Sequence, residues 1–311
     1  MDALDIRILR TMGIQPYSSA PRDPANLRPG RLAKQLGVTK KTVAERIVRM
    51  EQDKLIGGYE LYPNFRHLGY EASCYNLDLD DEEVATQALE SLKAEPGFVA
   101  IYTFVGGPMC AMVAYRDPAE QEALLRRLMK VAGEGGAQKF YDLAMPQVVR
   151  PLSSLDWRIL QGLRGNAKRP LSEVARELKV SARTVKRRFE RMGAEGSFLI
   201  TPMLDPSVAE GLMMFVLLFH LDADAGPKAY NAARKAFDGQ TIAVDFAANP
   251  SMGSFALVLF ARSMAEAKAL ERKARAVPGV AKVQPFFFTG AAESFAWVDE
   301  AIAERVEAAG T

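Results

Sequence analysis

The chain has 311 residues, 49% hydrophobic and 25% charged, which is the composition of a globular protein long enough for more than one core. Its formal charge is only +2, and it holds two cysteines, Cys74 and Cys110, and two histidines, His67 and His220. That inventory argues against a disulfide framework and against a multi-cysteine zinc site. No apolar run approaches the roughly 18 residues that span a bilayer, and MDALDIRIL lacks the basic-then-apolar profile of a signal peptide. The expectation is a cytoplasmic protein with no membrane partner.

In chain order, the first element is a helix carrying Leu4, Ile8 and Leu9 on one stripe. The stretch PYSSAPRDPANLRPG follows, a loop by its proline, serine and glycine content. A second helix is expected over 29–36, then a tight Gly37-Val38 turn and a third helix with Thr39 at its N-cap. Val43, Ile47 and Met50 fall at i, i+4 and i+7, the core face of that helix. A short extended piece at 56–61 reads as a wing. Next come a strand at 70–79, a helix at 82–93, strands at 98–104 and 109–115, a helix at 118–131 and a strand at 138–144. This β-α-β-β-α-β order is that of a ferredoxin-like split βαβ sandwich.

The chain then repeats itself. Leu4-Asp5-Ile6-Arg7-Ile8-Leu9 returns as Leu155-Asp156-Trp157-Arg158-Ile159-Leu160, and GVTKKTVAERIVRM returns as KVSARTVKRRFERM. A second helix over 171–178 precedes a Lys179-Val180 turn, Ser181 takes the N-cap position, and Val185, Phe189 and Met192 repeat the core stripe. An extended piece at 198–201 is the second wing. Strands at 212–221, 241–246, 254–260 and 281–288 and helices at 227–237 and 264–276 give the same order again, and 293–308 reads as an extra terminal helix. The fold class expected is therefore α+β, with two winged helix-turn-helix modules alternating with two ferredoxin-like domains. The boundaries are 1–62, 63–150, 151–203 and 204–311.

Charge follows those boundaries. Residues 1–62 hold 11 Lys and Arg against 7 Asp and Glu, and 151–203 hold 11 against 5. Residues 63–150 hold 8 against 13, and 204–311 hold 10 against 13. Two basic modules on two acidic ones are the electrostatic footprint of a nucleic-acid binder, because phosphate neutralisation supplies most non-specific affinity.

At 100° per residue, Arg183 and Arg187 point nearly opposite the core stripe of the third helix, Thr184 and Arg191 lie a little to one side, and Lys186 and Arg188 flank. A helix with bidentate donors on its outward face suits a major groove. In the first copy Lys41 stands for Arg183, Glu45 for Arg187 and Ala44 for Lys186, so the two readers do not recognise identical half-sites. The expected DNA-contacting set is Thr39, Lys40, Lys41, Thr42, Glu45, Arg46 and Arg49 in the first copy. In the second it is Ser181, Arg183, Thr184, Lys186, Arg187, Arg188 and Arg191.

The order Leu-Asp-x-x-Ile-Leu, then Leu-Ala-x-x-Leu-Gly-Val-Thr-x-x-Thr-Val-x-x-Arg-Ile, then Leu-Ile-x-Gly-Tyr, then an α/β domain, resembles the leucine-responsive regulator (Lrp/AsnC) family of transcription factors. The resemblance runs over almost the whole chain, twice, in the form of a tandem duplication. It implies a sequence-specific regulator of double-stranded DNA, working as a homodimer, with a small-molecule effector such as an amino acid or another metabolite bound in its α/β domains. The turns at VGGPMC and ANPSMGS depart from the family's Gly-Asp-containing turn, and they make Gly106, Gly107, Asn249 and Ser251 the effector candidates or simply turn formers.

The siroheme decarboxylases look like members of the same fold family, also with two related halves, and they give the alternative reading, for which His67 and His220 are the only histidines on hand. No nucleophile with an adjacent base, no phosphate-cradling GxxxxGK and no zinc-protease motif appears, so neither catalysis nor a cofactor is expected. Asp78, Asp80, Asp81, Glu82 and Glu83 read as a helix N-terminus rather than a calcium loop. Cys74 and Cys110, on neighbouring strands, read as buried thiols or a redox pair. The run Pro285-Phe286-Phe287-Phe288, with Phe295 and Trp297, reads as core or an oligomer contact.

Overall fold

The computed structural model describes residues 1–13, 27–79, 82–133, 136–205, 211–238, 240–244, 253–294 and 296–308. Asn249, Ser251, Asp80, Asp81 and Phe295 lie outside these residues. The chain divides into two compact units, each drawn from separated stretches. Among the described residues, one comprises 1–13, 27–57 and those of 202–290; the other comprises those of 58–201 and of 291–308.

The first unit opens with three helices, α1 (Ala3–Met12), α2 (Pro29–Leu36) and α3 (Lys40–Gln52). Asp2 caps α1 by accepting from Leu4 N and Asp5 N, and Asp5 at N3 accepts from the Asp2 backbone, a reciprocal capping box. Thr39 caps α3 through Thr42 N. Ile8, Leu9, Leu32, Val43, Ile47 and Met50 close the core of this three-helix set, as the helical period requires. The same unit holds β7 (Met213–Leu221), α9 (Gly226–Ala236), β8 (Thr241–Val244), β9 (Ser254–Ala261), α10 (Met264–Arg275) and most of β10 (Val280–Glu293). The strands lie in the order β10-β7-β9-β8, all antiparallel, with Phe215 opposite Leu259 and Phe287. Tyr230, Ala233 and Phe237 after α9, with Ala267, Leu270 and Ala274 of α10, close one face of this sheet over Phe215, Phe219, Phe255 and Leu257.

In the second unit β2 (Glu71–Leu77), β3 (Phe98–Phe104), β4 (Met109–Tyr115) and β5 (Ala137–Asp142) lie in the order β5-β2-β4-β3, with α4 (Glu82–Lys93) and α5 (Pro118–Ala132) between them in sequence. Ala88, Leu92, Leu124 and Leu128 pack on Tyr75, Phe98, Ile101 and Val113. Both sheets thus carry the strand order that a split βαβ unit, twice crossed, produces. Three more helices follow, α6 (Ser154–Leu163), α7 (Leu171–Glu177) and α8 (Ala182–Ala194), and the last helix is α11 (Ala296–Ala308). Trp297 of α11 lies 5.1 Å from the Phe65 ring and 4.8 Å from Tyr70, and its indole N–H donates to Phe98 O at 2.9 Å.

Three features differ from the sequence reading. The extended pieces after each helical set, β1 (Ile56–Pro63) and β6 (Phe198–Leu204), form a two-stranded sheet with one another, so neither is a hairpin wing within its own module. The strand expected at 281–288 runs on to Glu293, because its end continues beside β3, where Ser294 N donates to Val99 O at 3.1 Å. Cys74 and Cys110 are joined by a disulfide across β2 and β4, with Cα atoms 6.5 Å apart. Neighbouring antiparallel strands bring them together, with Cys74 opposite Met112 and Asn76 opposite Cys110.

Candidate nucleic-acid interface

The residues expected to contact DNA divide into two groups on each third helix. Thr39 and Ser181 are N-caps, and their hydroxyls also bond the hydroxyls of Thr42 and Thr184, at 2.8 and 2.9 Å. Lys40, Lys41 and Glu45 on α3, and Arg183, Lys186 and Arg187 on α8, are exposed. Lys41 reaches Glu45 at 3.8 Å and Lys186 reaches Glu190 at 3.9 Å, long i,i+4 pairs that hold neither cation firmly. The outward face of α8 therefore presents two arginines where that of α3 presents a lysine beside a carboxylate.

The second group points the other way. Asp5 of α1 is fully buried, and Arg46 and Arg49 reach it at 2.9 and 2.8 Å. Arg46 also reaches Asp2 at 2.7 Å, and this hydrogen bond above all holds the Asp2 carboxyl below its ordinary pKa. The second copy repeats the device: Asp156 of α6 is fully buried, with Arg188 at 3.0 Å and Arg191 at 3.1 Å. Burial alone would raise the Asp156 pKa, but hydrogen bonds from Ser153 and Arg188 outweigh it and hold the carboxyl below the ordinary value. One side chain at N3 thus completes a helix cap and anchors two guanidiniums of the third helix. Arg46, Arg49, Arg188 and Arg191 accordingly face the first helix of their own module, while Arg183 and Arg187 stay outward. The sequence holds the signal for this: an acidic residue at N3 of the first helix, with arginines at i and i+3 on the third.

The second copy adds a component that sequence reasoning missed. Arg150, from the segment before α6, lies 3.5 Å from Asp156 and 3.0 Å from Glu195 at the end of α8. Nearby, the Asn64 amide donates to Pro146 O and Gly196 O at 2.8 and 3.1 Å. His67 stands edge-on to Trp157, with ring centroids 6.3 Å apart. Burial, reinforced by the Arg150 charge and partly offset by Glu195, pushes its pKa down.

The effector candidates that can be placed are Gly106 and Gly107, in the turn between β3 and β4. Both take positive φ, and Gly107 N donates to Phe104 O at 3.3 Å. A Cβ on Gly107 would stand 2.0 Å from Leu79 O, so backbone crowding by itself requires glycine there. His220 does not share the surroundings of His67; its Nε2 lies 2.7 Å from Gln284 Oε1 on the adjacent strand.

Residues 152–192 match the AsnC-type helix-turn-helix domain. That stretch takes in Asp156, α7 and nearly all of α8. No curated protein matches the chain. Among solved structures, two of siroheme decarboxylase NirDL align over 99% of this chain, at 14% and 15% identity and TM-scores of 0.56 and 0.54; one of them is a complex with an iron-uroporphyrin III analogue. They are covered over 100% and 99% of their own length. The structure of E. coli AsnC aligns over 49% of this chain and 97% of its own, at 22% identity and a TM-score of 0.31. At such identities the whole-chain likeness shows a shared fold. It also corrects the expectation that the chain is not an enzyme, since the structures spanning its full length are those of a decarboxylase. The missing nucleophile and phosphate-loop motifs carried that expectation, and they say nothing about an enzyme whose chemistry resides in a bound tetrapyrrole. Among the described residues no helix is long and apolar enough to cross a membrane.

Proposed function

We propose that the chain is a sequence-specific regulator that binds double-stranded DNA through two unequal helix-turn-helix readers. In this reading the readers alternate along the chain with two ferredoxin-like domains, which hold a homodimer together and take a small-molecule effector. The observation that carries it is the outward face of α8 inside the AsnC-type match: Arg183 and Arg187 are exposed there, while Arg188 and Arg191 are tied by ion pairs to the buried Asp156 of α6. A cationic face held rigid from behind suits base-edge recognition, because its arginines reach the groove with their carrier helix already fixed. On α3, Glu45 makes the first reader weaker in phosphate attraction and different in base preference. The test is selection of duplexes from a randomised pool by the full chain, followed by binding of the winners across a salt series. Enrichment of a defined site, bound with a steep salt slope, supports the reading; no enrichment at low salt ends it.

The whole-chain likeness to siroheme decarboxylase favours a second reading, an enzyme acting on an iron tetrapyrrole. His67, with Arg150 beside it, is the residue pair on which that reading would draw. Titration with an iron-uroporphyrin separates the two: a saturable Soret shift with release of carbon dioxide would establish the enzyme, whereas an unshifted band leaves the regulator.

A further inference from the structure

The two helical sets differ at two backbone positions in a reciprocal way. At the turn between second and third helices the first copy has Gly37, at φ 69°, where the second has Lys179, at φ 55°. Past the end of the third helix the first copy has Lys54, at φ 62°, where the second has Gly196, at φ 69°. Among the described residues, Lys54 and Lys179 are the only side-chain-bearing residues with positive φ. The local hydrogen bonds are alike in each pair. Val38 N donates to Ala33 O at 3.1 Å and Val180 N to Ala175 O at 3.0 Å; Lys54 N donates to Glu51 O at 3.2 Å and Gly196 N to Gly193 O at 3.1 Å. The backbone thus asks for the left-handed conformation at all four places, and glycine meets that demand without the Cβ clash. At one place in each copy a lysine stands there instead.

Both lysines are exposed, and among the described residues neither has an ion-pair partner. A side-chain-bearing residue held at positive φ costs free energy, and such residues cluster where a ligand or partner is held. We infer that Lys179 and Lys54 are phosphate anchors of the two readers, placed at opposite ends of their recognition helices. Lys179 lies two residues before the Ser181 cap of α8, at the end where Arg183 begins the outward face. Lys54 lies two residues beyond Gln52, the last residue of α3. The second reader is therefore clamped to the DNA backbone at the N-terminal end of its helix and the first at the C-terminal end. The partner this requires is a polyanion backbone, and the inference rests on the DNA-binding reading above.

The reciprocity supplies its own test. Full-length Lys179→Gly and Lys179→Gln are compared with wild type for melting temperature and for the salt dependence of binding to a mixed-sequence DNA duplex. Lys179→Gly relieves the left-handed residue and raises the melting temperature by about 2–4 °C. Both substitutions lower the slope of log affinity against log salt by about one, the loss of a single phosphate contact. Gly37→Lys does the reverse in the first copy, adding about one to the slope while lowering the melting temperature. A Lys179→Gly protein that is more stable but keeps the wild-type slope overturns the anchor while leaving DNA binding intact. A wild-type chain that binds no duplex at low salt overturns the DNA reading and the anchors together.

Discussion

Replacing Asp156 by asparagine removes the charge from a fully buried carboxylate and leaves its shape nearly unchanged. In the native protein that carboxylate faces Arg188 at 3.0 Å, Arg191 at 3.1 Å and Arg150 at 3.5 Å, and it accepts from Ser153 N at 3.1 Å and from the Ser153 hydroxyl at 2.7 Å. Breaking a fully buried ion pair from one side costs roughly 3–5 kcal/mol. Here the arginine side chains are 26%, 42% and 29% exposed, so water recovers part of that loss, and the asparagine oxygen can still complete the cap. The expected destabilisation is about 2–3 kcal/mol, read by denaturant unfolding of the second unit. Combining Asp156→Asn with Arg188→Gln should cost less than the sum of the single changes, by about 1 kcal/mol, since the two side chains share one interaction. A loss below about 0.5 kcal/mol, the level of an ordinary surface substitution, together with strict additivity would refute the claim that this carboxylate anchors the recognition helix.

Three further outcomes follow from the same geometry. Arg183→Ala or Arg187→Ala changes base preference at one position of a selected site by about 1–3 kcal/mol, whereas Lys186→Ala weakens all duplexes alike and Arg188→Ala chiefly lowers stability; competition binding and unfolding curves separate the three. Gly107→Ala destabilises by more than about 2 kcal/mol while Gly106→Ala costs about 1 kcal/mol, because only the first meets a carbonyl as well as an unfavourable φ, and thermal unfolding ranks them. Burial depresses the His67 pKa below the ordinary histidine value of about 6.5, so the unfolded chain binds the proton more readily. Stability is level above about pH 6.5 and falls as pH drops from there towards the folded pKa, and His67→Gln flattens that part of the curve.

Much of this was readable from the residues because it depends on local rules. The core stripe Val185, Phe189 and Met192 follows from helical period alone, and Thr39 and Ser181 follow from the demand of a free helix start for an acceptor. The strand orders followed once the repeat was seen, since a split βαβ leaves little choice of topology. What stayed hidden depends on partners far apart in sequence. Arg188 and Arg191 look outward or lateral on a helical wheel, and only Asp156, about thirty residues earlier, shows that they are tied back to the first helix. The pairing of β1 with β6 and the run of β10 to Glu293 have no period or turn signal to announce them. The positive φ of Lys54 and Lys179 is invisible in composition, although the glycines at the matching positions of the other copy point to it.

The most direct test of the central claim is the salt dependence of the full chain's binding to a duplex it has itself selected, measured beside a scrambled duplex of the same length. The regulator account predicts a selected site bound at least about a thousandfold more tightly than the scrambled one, with log affinity falling linearly as log salt rises. Equal binding to both, or no binding at low salt, would contradict it.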